Sequence, residues 1–459
     1  MTFDLGYGTN GFANHRLDDA LAVIADLGYT GVALTLDHHH LDPYGPDLPA
    51  EVDRVAARLD ALGLRVVVET GARYLLDPTR KHHPTLVSDG QDRRVDFLAR
   101  AARIARDLGA DCVSFWSGVR RPDVPEDVAW KRMRDGVAQL LDLGVPFGLE
   151  PEPGHLVQHL AEALALRAEL GDPEALGITL DVGHCVAVEP DDAATCIRQA
   201  GELLVNVQLD DMLPGVHEHL EFGAGALDLP GTLAALTDIG YTGLAAVELP
   251  RHSHAAPDVA RASLAALTAA MDPPWLVDAE ESVRRDPTAI RRLFPAVGRR
   301  VGREPLRPRV DPHGVVHGTV DDRARARLVA ALPDASELPD LYRYGDDAEK
   351  RGVLRGLTPG TDPAVGVPIV LDALRTNDTR LVAAALGPFA AAHLDRHAWR
   401  HGVLKCLFTG IPLRAVAGLD ALADAELFRM VADFAAERRA AGRPVPDDAT
   451  ALLGRAARA

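Results

Sequence analysis

The sequence is short of several features that would each point to a class of protein. Its four cysteines, Cys112, Cys185, Cys196 and Cys406, form no C-x-x-C pair. A zinc knuckle and a disulfide scaffold are therefore not expected, and reduced thiols in the cytoplasm are the default. Basic charge is also short: 49 Lys and Arg against 67 Asp and Glu give −18. A duplex nucleic-acid binder needs a basic face, so no nucleic-acid partner is expected. Lysine is almost absent (Lys81, Lys131, Lys350 and Lys405), while arginine is abundant. Beside so much Ala, Gly and Pro, that reads as coding bias rather than function. No run of about 18 apolar residues occurs, and Met1-Thr2-Phe3-Asp4 lacks a basic leader segment. No stable membrane insertion and a cytoplasmic location are the expectation. No Gly-rich phosphate turn follows the first strand, which disfavours an open dinucleotide-binding sheet.

What is present is a regular alternation. At 459 residues with 47% hydrophobic and 25% charged content, the chain is globular and long enough for two domains. Apolar runs expected as strands are Phe3–Thr9, Gly31–Leu36, Arg65–Glu69, Cys112–Trp116, Phe147–Glu150, Gly177–Asp181, Leu204–Leu209 and Leu244–Glu248. Helical patterns separate them, several closing on a Leu-Gly step such as Leu27-Gly28 or Leu62-Gly63, as a glycine C-cap should. Eight such units predict an α/β fold, a closed (β/α)8 TIM barrel. Met271-Asp272-Pro273-Pro274 ends the pattern. Thereafter only helical periodicity is expected: an opening stretch over Leu276–Gly298, then Asp321–Leu332, Asp346–Leu357, Val367–Arg375, His397–Phe408 and Ala425–Gly442. The division is a barrel over residues 1–273 and an all-α domain over 274–459.

The chain is organised around Leu180-Asp181-Val182-Gly183-His184, read as a buried strand opening into a loop. Glu150, Asp181, Gln208 and Glu248 all stand at or near the C-terminal ends of consecutive strands, which form the active face of such a barrel. Singly, each acid is as well explained by an N-cap or a loop salt bridge. Together, three carboxylates and an amide make an oxygen-rich metal site that suits Mn2+ or Mg2+, with Zn2+ as the alternative. His184, beside Asp181, reads as a partner of a substrate hydroxyl or carbonyl, or else as a structural imidazole. Asp210 follows the third donor strand and is assigned to substrate. His217, in His217-Glu218-His219, is assigned to substrate, with a second metal as a weaker reading. Arg251 suits a carboxylate or phosphate, or is a rim charge. Thirteen of the eighteen histidines precede Met271, which fits a polar barrel mouth.

The motifs Glu150, Asp181-Val182-Gly183-His184, Val207-Gln208-Leu209-Asp210-Asp211, Phe222-Gly223-Ala224-Gly225-Ala226-Leu227-Asp228 and Val247-Glu248 resemble the xylose-isomerase-like barrel family of sugar phosphate isomerases and epimerases. The resemblance spans about Phe3–Met271. It implies that Glu150, Asp181, Gln208 and Glu248 are metal ligands and that Glu150 and Glu248 also move protons. The family often has His on strand seven; the hydroxypyruvate-isomerase branch has Gln, as here. The endonuclease IV branch needs a basic DNA groove, which the acidic charge opposes. In the second half, Leu374-Arg375-Thr376-Asn377, Ala398-Trp399, Leu404-Lys405-Cys406-Leu407-Phe408, Gly418-Leu419-Asp420 and Glu437–Arg443 resemble the EboA domain. That resemblance implies a link to making or moving a secondary metabolite. Ala435-Ala436-Glu437-Arg438-Arg439 departs from the family's Ala-His-Glu-Arg-Trp, and its Asn-Pro-Tyr-Pro segment is missing. Read physically, Arg375, Asn377, Lys405, Glu437 and Arg438 form either a buried ion-pair network or a metabolite pocket.

The expected activity is a metal-dependent isomerase or epimerase acting on a small polyol, ketose or cyclitol ketone. The alternatives are a non-catalytic metabolite carrier and a metal-dependent hydrolase or dehydratase. A homo-oligomer is compatible with the sequence.

Overall fold

The computed structural model describes residues 3–307 and 310–456. The chain divides into two compact units, Met1–Met271 and Asp272–Ala459.

In the first unit the strands in chain order are β1 (Asp4–Gly8), β2 (Gly31–Thr35), β3 (Arg65–Glu69), β4 (Val113–Trp116), β5 (Phe147–Glu150), β6 (Leu176–Asp181), β7 (Leu204–Leu209), β8 (Asp211–Leu213), β9 (Val216–Leu220) and β10 (Leu244–Val247). Eight of them close a barrel in the order β1-β10-β7-β6-β5-β4-β3-β2, while β8 and β9 form a separate antiparallel pair. Every barrel pairing is parallel. The period-2 alternation of a strand sorts side chains between inside and outside. On β3, Val66 and Val68 pack outward with the helix-facing core, whereas Val67 joins Ala33, Cys112, Leu244 and Ala246 in the interior cluster. Small residues let that interior close. A Cβ on Gly31 would come within 2.4 Å of Leu244. Helices of 7 to 17 residues connect the strands. The helix Leu17–Leu27 ends on Gly28 at φ 115°, and its N–H caps Ala25 and Ile24 carbonyls. This is the Leu-Gly stop that the sequence announces.

Two features of this unit differ from expectation. Val182–Val188 is a helix, not a loop, and starts directly after Asp181. The hairpin β8–β9 is a strand pair that alternation did not flag. Its strands are 3 and 5 residues long, too short to show a period.

The second unit is helical, with a single isolated bridge, Pro305 to Thr319, among the described residues. The expected opening helix is broken. Pro274–Arg285 stops before Asp286-Pro287, because proline excludes the helical conformation from the residue before it. Five helices of 4 to 10 residues were not expected: Leu338–Tyr344, Thr379–Ala385, Pro388–His393, Leu419–Leu422 and Asp447–Ala456. The polar network also lies elsewhere than expected. Arg375, Asn377 and Glu437 are exposed, Lys405 donates to the Leu374 carbonyl (2.7 Å), and Arg438 donates to the Pro444 carbonyl (2.9 Å). The buried charges are instead Asp321 with Arg325 and Asp322 with Arg351 (3.1 Å), all at most 4% exposed. The i, i+4 spacing of Asp321 and Arg325 on one helix was legible, but their burial was not.

Candidate active site

Each donor reaches the barrel mouth by strand register. Asp181 on β6 is the Cα partner of Gln208 on β7. Ala246 on β10 pairs with Gln208, so Glu248, two residues on, stands one layer further out. Glu150 ends β5, paired with Trp116. The barrel order β5-β6-β7-β10 therefore lays Glu150, Asp181, Gln208 and Glu248 side by side in an arc.

Asp181 does two things at once. Its Oδ1 accepts the His184 backbone N–H at 3.0 Å and caps the helix Val182–Val188. Its Oδ2 is buried with no hydrogen-bond partner. The capping explanation for this acid is thus correct for one oxygen and leaves the other open. Gln208 Oε1 and Asp210 Oδ1 are likewise buried and unpartnered, while Asp210 Oδ2 faces the His219 ring. Such atoms cost free energy unless something occupies the space between them. Three overlapping groups, Glu150–Asp181–His184, Asp181–Asp210–His219 and His184–His217–His219, each bring three ligand atoms within 4.8 Å of one another. The donor set fits a divalent cation.

The electrostatics agree. Burial, then the nearby Glu152 and Glu248, pushes Glu150 well above the usual carboxylate range. Burial also raises Glu248. Burial dominates for Asp181 too, but the His184 and His219 rings and its hydrogen bonds outweigh it and leave the acid below its ordinary value. His184 is lowered to about 4, mainly by burial. Its Nδ1 lies 3.1 Å from the Pro151 carbonyl. A carbonyl only accepts, so Nδ1 carries the proton and Nε2 presents a lone pair, 3.2 Å from His217 Nε2. His219 Nδ1 is 2.6 Å from Asp210 Oδ2. Burial lowers this ring, but Asp210, Glu248 and Asp181 together raise it to about 10.

The structure brings Glu150, Asp181, His184, Asp210, His217 and the Gln208–Glu248 pair of strand ends to one mouth. Arg251 is not part of it: its side chain is exposed and pairs with Glu218 at 2.6 Å. Asp210 is fully buried against His219 and Asp181. Several residues were missed. Glu69 ends β3 and accepts from Asn206 Nδ2 at 3.0 Å; burial and Glu248 raise it to about 8. It carried the same signal as Glu150, an acid closing an apolar run. Glu152, raised to about 8 by burial and Glu248, lies 3.8 Å from His217. Asn10 donates to Glu248 at 2.9 Å. Arg94 is buried, donates to the Pro84, Thr70 and His82 carbonyls, and lies 4.5 Å from the Trp116 ring centroid. It pins the segment after β3 at the mouth. Nothing in a lone helical arginine signals that.

An eight-stranded parallel barrel with this acid-rich arc at the strand ends is a TIM barrel with a candidate metal site. The chain belongs to the xylose isomerase-like TIM barrel family, which matches residues 21–270. Residues 312–454 match the family described as metabolite traffic protein EboA. Among curated proteins, L-ribulose-5-phosphate 3-epimerase UlaE of Salmonella paratyphi C is 25% identical over 213 residues, 43% of this chain and 74% of that protein. The uncharacterized protein MJ1311 of Methanocaldococcus jannaschii is 30% identical over 110 residues, which span 23% of this chain and only 38% of that protein. Among solved structures, 3-keto-D-glucoside 4-epimerase YcjR from E. coli matches with a TM-score of 0.48 and 20% identity, over 58% of this chain and 99% of that one. In sequence the barrel is thus related to a sugar-phosphate epimerase. No helix among the described residues is long and apolar enough to cross a membrane.

Proposed function

We propose that the barrel is a divalent-metal-dependent epimerase or isomerase of a small ketose, polyol or cyclitol ketone. The observation that carries this reading is a pair of acids, Glu150 at the end of β5 and Glu248 directly after β10, standing either side of Asp181 and Gln208 in the barrel order. Glu150, Asp181, Gln208 and Glu248 would hold the ion. When bound, it supplies positive charge beside carbonyl and hydroxyl oxygens, which lowers the cost of removing a proton from the neighbouring carbon.

The remaining work falls to side chains. A carboxylate within about 3 Å of the carbon takes the proton. One group suffices to return it to a neighbouring carbon, while epimerisation needs a donor on the opposite face. Glu150 and Glu248 supply both. His184 Nε2, with its lone pair fixed by the Pro151 contact, accepts a hydrogen bond from a substrate hydroxyl. Glu152 and His217 line the same side and suit further hydroxyls. The match of the second unit to the EboA family supports a role in making or moving a secondary metabolite.

The test is solvent exchange. Metal-loaded protein is incubated in D2O with phosphorylated and unphosphorylated ketoses and inososes. Deuterium entering a carbon next to the carbonyl is the expected result. Ligand binding with neither metal uptake nor exchange would transfer the assignment to a carrier.

A further inference from the structure

Between Glu69, the end of β3, and the helix Gln91–Asp107 the chain makes a long crossing without strand or helix. It carries three permanent cations, Arg73, Arg80 and Lys81, and two acids, Asp77 and Asp89. Arg80 is paired with Asp77 at 2.8 Å, and Asp89 is paired with Arg132 at 2.6 Å. Arg73 and Lys81 are left over. Among the described residues neither side chain has a hydrogen bond or an ion pair. Lys81 is also one of only four lysines in the sequence.

The crossing holds these two cations together. His82 donates its backbone N–H to the Arg73 carbonyl at 2.5 Å, which sets Lys81, the residue before it, across from Arg73. The His82 ring closes the same turn, with Nδ1 2.7 Å from the Gly71 carbonyl. Ala72 (φ 48°) and His82 (φ 61°) take left-handed backbone conformations, and each is the immediate neighbour of one cation. Residues other than glycine keep such a conformation only where the surroundings impose it. Arg94 imposes it here by donating to the carbonyls of Thr70 (2.9 Å), His82 (2.9 Å) and Pro84 (3.0 Å).

The turn is also fixed to the barrel mouth. The His82 ring meets Trp116 edge to face, with centroids 5.4 Å apart. Trp116 ends β4 and is the Cα partner of Glu150. His155 packs on the same indole at 5.1 Å and lies 4.0 Å from Glu152. The two charges reach the mouth. Burial and Glu248 raise Glu152, and Lys81 acts against them. Burial raises Glu248, and Arg73 acts against it.

We propose that Arg73 and Lys81 receive a phosphate monoester at the far end of the substrate, so that the barrel acts on a phosphorylated ketose or cyclitol ketone. The proposal rests on the epimerase or isomerase reading of the mouth and adds to it the charge of the substrate. A phosphate monoester is a dianion, and a planar guanidinium beside a point-charge ammonium matches it, whereas a carboxylate carries one charge. The acids of the mouth repel an anion, so the one pair of uncommitted cations also sets which end of the substrate faces Glu150 and Glu248.

Two measurements on the metal-loaded full-length protein test this: calorimetry with inorganic phosphate, and deuterium exchange in D2O with ketoses offered with and without a terminal phosphate. The parent is expected to bind phosphate, and Arg73→Met and Lys81→Met to bind it at least about 10-fold more weakly each. The parent should exchange the phosphorylated forms with a kcat/KM at least about 10-fold higher, and both variants should lose most of that preference through KM. Arg80→Met removes a charge already paired with Asp77 and should keep both properties. Cooperative melts like the parent's show that the variants fold. Phosphate binding that is absent from the parent or unchanged in both variants, or exchange equally fast without the phosphate or with a carboxylate in its place, would overturn the proposal and leave the epimerase reading standing. No exchange with any ketose, beside phosphate binding that depends on Arg73 and Lys81, would remove the epimerase reading and keep the phosphate site.

Discussion

At the scale of single residues, Asp181 shows how one side chain can satisfy two explanations. One oxygen caps a helix and the other stays open to the site. Asp181→Ala removes both, and calorimetry should find no high-affinity Mn2+ binding. Binding equal to the parent would show that the ion sits elsewhere. Glu69 gives a prediction that needs no metal. Its pKa rises from 4.5 to about 8 on folding, because burial and Glu248 disfavour its charge. The native state therefore holds a proton that the unfolded chain releases. The associated stability is complete below about pH 4.5 and is lost as pH rises through about 8. In the metal-free protein, urea unfolding should show stability falling across that window, and Glu69→Gln should flatten the slope. An unchanged slope in the variant would assign it to other groups. The arc of Glu150, Asp181, Gln208 and Glu248 was legible because each residue lies at or near the end of an apolar run, and a strand end is where a barrel puts function. Glu69 carried the same mark. Glu152 and His219 did not, since they lie beyond strand ends and reach the mouth only through loop geometry that local pattern does not encode.

At the scale of elements, the strands were legible to within a residue or two because buried parallel strands are continuous apolar runs between glycine stops. The helix Val182–Val188 was not, because Val182-Gly183-His184-Cys185 has poor helix formers and its start is set by the Asp181 cap. That helix depends on Gly183. Gly183→Ala would drive a methyl into Asp210 Oδ1. The expected outcome is a folded protein with sharply weakened Mn2+ binding, checked by calorimetry beside circular dichroism. In the second unit, short helices broken by Asp286-Pro287 hid from a periodicity search, and the polar network moved to Asp321, Asp322, Arg325 and Arg351. Breaking a buried pair leaves an uncompensated charge. Asp322→Ala should therefore cost about 3–5 kcal/mol in urea unfolding, whereas the exposed Arg375→Ala should stay within about 0.5 kcal/mol. Equal effects would mean that the buried pair carries no special weight.

At the scale of the whole molecule, β/α alternation gives way to helix alone, and the compact units divide between Met271 and Asp272. Each unit has its own hydrophobic clusters. We expect residues 1–273 expressed alone to melt cooperatively and to retain metal. An insoluble fragment would mean that the barrel core needs the helical unit. The central claim is that the mouth of this barrel moves a proton on carbon, and the most direct measurement is carbon–hydrogen exchange in D2O by the metal-loaded parent, Glu150→Gln and Glu248→Gln, with metal content determined in each. Glutamine keeps the shape and a ligand oxygen while removing the base. The account predicts exchange by the parent, metal retained at least in part in both variants, and exchange slowed at least about 100-fold in each. Exchange at the parental rate in both variants would contradict it.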